Sequence, residues 1–237
     1  MVYEILKIRD PSDKNFTPKN RLFDLPFRIA LIGKSQFSLG KTTIILNLLL
    51  RDKFYGKDFQ GENIYIVSNN KADKKLLILA ETKEIPDCNI MSFDEATLEA
   101  LYEIIEEQFE DEKKKQNRLI IFDDVVATGG LKQATGIVSK MIMQGRHIGL
   151  SQIYTSQKYS LLSTGLRSNI TGAMIGGLSN KELELVEQDM NFLDNKKKFM
   201  TMIRNNTKNK RDFVIFNFSN DENEVYMNKK FEPIKGL

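Results

Sequence analysis

Apolar residues along this chain gather in short blocks, and the blocks alternate between two kinds. Some are brief runs that end at glycine or at acids; others are longer and carry their apolar positions at helical spacing. "FRIALIG" at 27–33 is the first short run, and it predicts a buried strand. "KTTIILNLLLRDK" at 41–53 contains neither Gly nor Pro and predicts a helix buried on most sides. "NIYIVSN" at 63–69 and "CNIMSF" at 88–93 predict two further strands. Leu98, Leu101, Ile105 and Phe109 recur at helical spacing, which predicts a helix over about 94–115. "RLIIFDD" at 118–124 is apolar until two acids end it, and predicts a fourth strand. A helix over about 131–144, strands at 150–157 and 170–177, and a helix over about 180–191 complete the alternation.

The C-terminal end has a different rhythm. "RDFVIFNFS" and "EVYMNKKF" flank the polar turn 219-SNDEN-223, the pattern of a terminal hairpin. Strands alternating with helices argue an α/β fold whose mostly parallel sheet is covered on both faces, with an antiparallel hairpin added at one edge. No repeat and no linker breaks the pattern. One domain over residues 1–237 is expected, with a core of about 27–177 followed by a C-terminal helix and hairpin over about 178–237.

Composition narrows the function classes. No apolar run approaches the length of a bilayer span, and "MVYEILKIRDPSDKN" lacks the apolar block of a secretory signal, so a cytosolic protein is expected. One cysteine and one histidine leave no internal disulfide and no Cys/His metal cluster. A net charge of +3 is too small to argue nucleic-acid binding. The basic excess lies in the C-terminal third, in "KKK" at 196–198 and "RNNTKNKR" at 204–211, and reads first as a solvated, lysine-rich loop.

The chemistry concentrates in 33-GKSQFSLGKTT-43. A phosphate-binding loop of the form G-x-x-x-x-G-K-[ST] would place its first glycine at position 35, which is Ser35; the nearest glycine upstream is Gly33, two residues too early. Gly40, Lys41 and Thr42 nevertheless open an apolar helix directly after an apolar strand. They supply a helix N-terminus, an ammonium for terminal phosphates and a hydroxyl for Mg²⁺. The loop reads as a lengthened form in which Gly33 takes the first turn and "KSQFS" bulges outward. Gly33, Ser38, Leu39, Gly40, Lys41, Thr42 and Thr43 are the candidate ATP-binding residues. Roughly eighty residues on, the strand at 118–124 ends in Asp123, placed to hold Mg²⁺ with Thr42, and Asp124, placed to orient the attacking water. Two strands intervene in sequence, which suits the P-loop class with an extra strand between the phosphate-loop strand and the acidic strand. The run 70-NKAD-73 matches a guanine-reading motif, but it precedes the acidic strand and reads as a strand-to-helix turn.

The stretch 144-QGRHIGLSQIYTSQKYSLLSTGLRSNITGAMIG-176 then adds a specific pattern. With "GRH-I-G-L-S" and "SQ…LRSN", the chain from Phe27 to Gly177 resembles the genome-packaging ATPases of large DNA viruses and virophages, the poxvirus-type branch of the FtsK/HerA superfamily. That resemblance implies an ASCE/RecA-like P-loop NTPase. It implies an ATP- and Mg²⁺-dependent motor that moves double-stranded DNA into a preformed capsid. It further implies a homo-oligomeric ring, pentamer or hexamer, working in the host cytoplasm at viral factories, with capsid-vertex docking and virion association open. Catalytic roles are implied for Lys41, Asp123 and Asp124, for Gln157 as sensor of the γ-phosphate, and for Arg146 and Arg167 as candidate trans arginine fingers; His147 reads as a structural hydrogen-bonding residue. Non-specific DNA contact falls to Lys196, Lys197, Lys198, Lys208, Lys210 and Arg211. A cellular or plasmid translocase or helicase, and a nucleotide-binding assembly factor with negligible turnover, are the alternatives.

Overall fold

The structure is a computed structural model that describes residues 22–34, 39–111, 116–125, 136–193 and 195–236. Its strands are β1 (Arg28–Ile32), β2 (Ile64–Ser68), β3 (Ile90–Met91), β4 (Arg118–Asp123), β5 (Leu150–Ser156), β6 (Gly172–Ile175), β7 (Val214–Asn217) and β8 (Tyr226–Met227). Its helices are α1 (Lys41–Leu50), α2 (Lys74–Lys83), α3 (Glu95–Glu110), α4 (Ile137–Gln144), α5 (Thr164–Arg167), α6 (Asn180–Met190) and α7 (Lys196–Asn206). All eight strands form one sheet in the order β3-β2-β4-β5-β1-β6-β7-β8. Pairing is parallel from β3 to β6, and β7 and β8 join antiparallel at the edge.

Burial explains why the central strands read as unbroken apolar runs. Every residue of β1, β2, β4 and β5 is buried, as in parallel sheets with helices on both faces. Successive side chains go to opposite sides. Ile29, Leu31, Ile121 and Ile153 pack with Ile45, Leu48 and Leu49 of α1 and with Leu76 and Leu79 of α2. Ala30, Ile32, Ile120 and Tyr154 pack on the other face with α3, α4, α6 and α7.

The strand that separates β1 from β4 is β5, which follows both in the chain; β2 and β3, the two that intervene in sequence, lie outside β4. The expected class therefore holds, with the inserted strand drawn from later in the chain. Register aligns Ile32 with Ser156, and Phe122 with Tyr154, so β1, β4 and β5 end at one edge. That edge, where strand order changes direction, is where open α/β sheets bind ligands.

Several predicted elements are corrected. The strand expected at 88–93 is only Ile90–Met91, preceded by a 3-10 turn over Asp87–Asn89. The helix expected to reach 115 is described only as far as Glu110. Of the helix expected from 131, only Ile137–Gln144 falls within the described residues. The lysines at 196–198 do not form a loop: they open α7, whose Phe199, Met200, Met202 and Ile203 are buried. Polar density hid that apolar stripe. By contrast Asp73 is the N-cap of α2 and accepts from the backbone N–H of Lys75 and Leu76, so 70-NKAD-73 is the turn it was read as.

Candidate functional site

The site is built at the carboxyl edge of β1, β4 and β5. After β1 the backbone N–H of Gly33 donates to the Ser156 carbonyl at 3.1 Å, which ties the start of the loop to the end of β5. Ser38 and the three residues before it lie outside the described residues, so the path of the "KSQFS" bulge does too. Gly40 caps α1 in the left-handed conformation (φ 74°, ψ 43°), which glycine adopts without a Cβ penalty. Gly33, expected to take the loop's first turn, is not in the left-handed region. Glycine suits it for another reason: a Cβ there would lie 3.0 Å from the Leu39 Cβ.

Lys41, first residue of α1, folds back so that Nζ donates to the Gly33 carbonyl at 3.2 Å. Burial holds its ammonium below the ordinary lysine value, while the charges of Asp124 and Asp123 pull it back up. Thr42 is half-buried, and Thr43 is exposed and accepts from Lys75 Nζ of α2 at 2.7 Å. The second helix thus reaches the same site through a cation that the sequence did not single out.

Asp123 ends β4 and is 8% exposed. Burial pushes its carboxyl up from the usual value; a hydrogen bond from Thr155 opposes this, and Asp124 and Asp73 add to the rise. Thr155 is the residue that sequence reasoning missed. Fully buried on β5, it donates through Oγ1 to Asp123 Oδ1 at 2.8 Å and accepts the Asp124 backbone N–H at 2.9 Å. One hydroxyl therefore orients one acid and fixes the backbone of the other. Asp124 is held with φ at 52°, a left-handed position that aspartate tolerates better than most residues. A signal for Thr155 existed in 150-LSQIYTSQ-157, where Ser151, Gln152, Thr155 and Ser156 are polar within a buried strand. Such groups need internal partners. Gln157 follows at the end of β5, exposed beside the loop that Ser156 anchors.

The donor set fits Mg²⁺ carried on a nucleotide. Thr42 and Asp123 supply one hydroxyl and one carboxylate, and among the described residues no group of three acids, histidines or cysteines could hold a metal alone. Mg²⁺ is commonly held by one or two carboxylates together with substrate phosphates.

The sequence model of the poxvirus A32 protein family matches residues 13–231. The chain belongs to the poxvirus A32 protein family. No curated protein sequence matches it at a significant level. The same fold occurs in the genome packaging NTPase B204 from Sulfolobus turreted icosahedral virus 2. Its sulfate complex aligns with a TM-score of 0.59 at 14% identity, covering 88% of this chain and 96% of that one. Its ATPγS complex aligns at 0.55 and 12% identity, covering 85% and 95%. The pCW3 conjugation coupling protein TcpA, a monomer form with ATPγS, aligns at 0.54 and 13% identity, covering 81% of this chain and 57% of that one. Family membership, with a phosphate-loop lysine and paired acids at one sheet edge, makes this A32-family chain a P-loop ATPase.

Of the two arginines, Arg146 lies away from this edge. Arg146 follows α4 in the 3-10 turn Gly145–Ile148, just before β5 begins. Seven residues of strand at about 3.3 Å each put it roughly 20 Å from Gln157. It is exposed, and its Nε donates to His147 Nε2 at 3.3 Å, in keeping with a structural histidine. Gly145 packs closely beside it: a Cβ there would meet Gln152 Nε2 at 2.5 Å, and that side chain would have to shift. The "GRH" of this A32-family chain is thus also a packing motif. Arg167 ends α5 and is occupied. Nη1 pairs with Asp189 Oδ2 at 2.6 Å, Nη2 donates to Thr164 Oγ1 at 3.2 Å, and the guanidinium lies 5.2 Å from the Tyr159 ring centroid. Tyr159 donates to the same Asp189 oxygen at 2.8 Å.

Of the basic residues proposed for DNA, Lys196–Lys198 lie in the first turn of α7, and Lys196 pairs with Glu187 at 3.5 Å. Arg211 lies on the opposite side of the C-terminal region, beside α1. Among the described residues no helix is long and apolar enough to cross a membrane.

Proposed function

We propose that this chain is the Mg²⁺-dependent ATPase of a viral genome-packaging motor, a ring of single-domain subunits that drives double-stranded DNA into a preformed capsid in the host cytoplasm. The observation that carries the proposal is the convergence of Lys41, Asp123, Asp124 and Thr155 on one edge, with the lysine and the buried acid both pushed toward neutrality. A buried cation and a buried anion shifted in these directions, and not hydrogen-bonded to each other, suit a charged ligand.

In this reading Lys41 leaves the Gly33 carbonyl for the β- and γ-phosphates, and the N-terminus of α1 adds its N–H groups and dipole. Thr42 and Asp123 would hold Mg²⁺, which would supply neutralisation of the phosphate charge. Asp124, its backbone held by Thr155, orients a water toward the γ-phosphorus; the water's oxygen bonds to phosphorus as the bond to ADP breaks, giving ADP and inorganic phosphate. Gln157, whose amide both donates and accepts, reads the γ-phosphate. Arg146 suits a trans finger better than Arg167, since it is exposed and among the described residues its side chain bonds only His147, whereas Arg167 is already bound to Asp189. The likeness to B204, a "genome packaging NTPase" or "DNA-packaging ATPase", supports the same activity here. Lys197 and Lys198, exposed in a helix turn where cations oppose the dipole, suit a phosphate-directed DNA contact.

The test is ATP hydrolysis with and without duplex DNA, over a salt series. Duplex DNA should stimulate turnover, with stimulation fading steeply as salt rises. Lys41→Ala should lower turnover by about 10²–10³-fold, as removal of a preorganised donor does. Full DNA-stimulated hydrolysis in that variant would sink the proposal. Slow hydrolysis indifferent to DNA would favour an assembly factor that binds nucleotide without using it.

A further inference from the structure

A cavity of about 280 Å³ opens beside the phosphate loop, and nothing in the catalytic cluster uses it. Its floor is one side of α1: Gly40, Thr43, Asn47 and Leu48. Its far wall comes from the C-terminal region, with Arg211 and Phe213 ahead of β7 and Phe231 after β8. Phe54, beyond the end of α1, closes it and packs against Phe231 with ring centroids 5.0 Å apart. Gly40 and Thr43 are shared with the candidate ATP-binding residues, so the cavity continues the phosphate site along α1.

We infer that this cavity holds the nucleoside of the bound nucleotide, so that Phe231 and Arg211 of the C-terminal region complete the ATP site. The inference rests on the nucleotide reading above. Three features support it. First, the lining has the makeup of a small-ligand site: aromatic and aliphatic walls, with Thr43, Asn47, Lys53 and two guanidiniums as its polar groups. Second, Arg211 has no hydrogen-bond or ion-pair partner among the described residues, whereas neighbouring Asp212 takes Lys229 at 2.6 Å and Asn209 at 2.9 Å. The Asp212 to Lys229 pair clamps the strand before β7 to the turn after β8 and so positions both walls. Third, the two wall residues are the ones with left-handed backbone in this region, φ being 65° at Arg211 and 65° at Phe231. Neither is glycine or asparagine, and such positions cost free energy that neighbouring structure must offset.

The chemical class follows from the walls. Flat aromatic faces and an unpaired guanidinium suit a planar base by stacking, a contact every nucleobase can make. No carboxylate is among the described residues lining the cavity, so an ionised acceptor for guanine is missing.

The experiment compares the full chain with Phe231→Leu and Arg211→Gly, each titrated with MgATP and with Mg-tripolyphosphate, which has the phosphates but no nucleoside. Arg211→Gly should fold at least as well as wild type, since glycine suits φ 65°; a thermal melt checks this. Both variants should weaken MgATP by about 10-fold, the scale of one lost stacking partner, and leave tripolyphosphate within about 2-fold. The inference is overturned if ATP and tripolyphosphate weaken together, if neither changes, or if the wild type binds the two equally. That last outcome would leave the phosphate site intact. A wild type that binds neither would instead remove the nucleotide reading itself.

Discussion

Two charged clusters in this chain have similar ingredients and opposite states. At the carboxyl edge of the sheet, Lys41, Asp123 and Asp124 lie near one another, but among the described residues the lysine donates only to a backbone carbonyl and the buried acid accepts only from a threonine. Against α6, Arg167 is bound to Asp189, stacked near Tyr159 and hydrogen-bonded to Thr164. Burial shifts Lys41 and Asp123 toward neutrality, because their charges are near but not closed into a pair. Arg167 has its counter-ion. The difference separates a group held ready for a ligand from one that has already found its partner within the fold, and residue type alone does not reveal which is which.

The sharpest way to break the comparison is Asp123→Asn. Hydrolysis should fall by about 10²–10³-fold while stability rises. The sign follows from linkage. Asp123 binds its proton more tightly when folded, so the wild type loses stability as pH rises through the folded value. The variant's gain should be present at neutral pH and vanish below the unfolded carboxylate value of 3.8, as denaturant melts at several pH values would show. Thr155→Val should lower turnover by about 10–100-fold, the usual cost of losing a group that orients a metal ligand, and leave ATP affinity nearly unchanged. Arg167→Ala should act as a stability change, about 1–3 kcal/mol in denaturant midpoint analysis, with turnover per folded ring retained. A loss of turnover without loss of stability would return Arg167 to the role of trans finger. The smallest effect is on pH. Lys41 must be protonated to hold phosphate and its folded pKa is depressed, so KM for ATP should rise on the alkaline side earlier than an ordinary lysine allows. Lys41→Arg should remove that alkaline limb, whatever its turnover.

The legible parts of the fold were those where one local rule speaks alone. Unbroken apolar strands announce a parallel sheet, and Gly40, Lys41 and Asp123 at their ends mark the proposed phosphate site, because both signals depend on short-range order along the chain. Legibility failed where a second signal masked the first. Three lysines hid the apolar stripe of α7. Thr155 looked like one polar residue among several, since its partners lie 31 and 32 positions away.

The residues proposed to touch phosphate and metal, their order along the chain and the α/β alternation that carries them were determined by the sequence itself. Hydrophobic period and a strand-loop-helix junction are local properties. Only the tertiary structure decided that β5 slots between β1 and β4, that Thr155 therefore governs both acids, and that the C-terminal region reaches α1 to wall a cavity beside the loop. Those outcomes depend on which strand pairs with which, and pairing across more than a hundred residues is settled by burying both faces of the sheet at once.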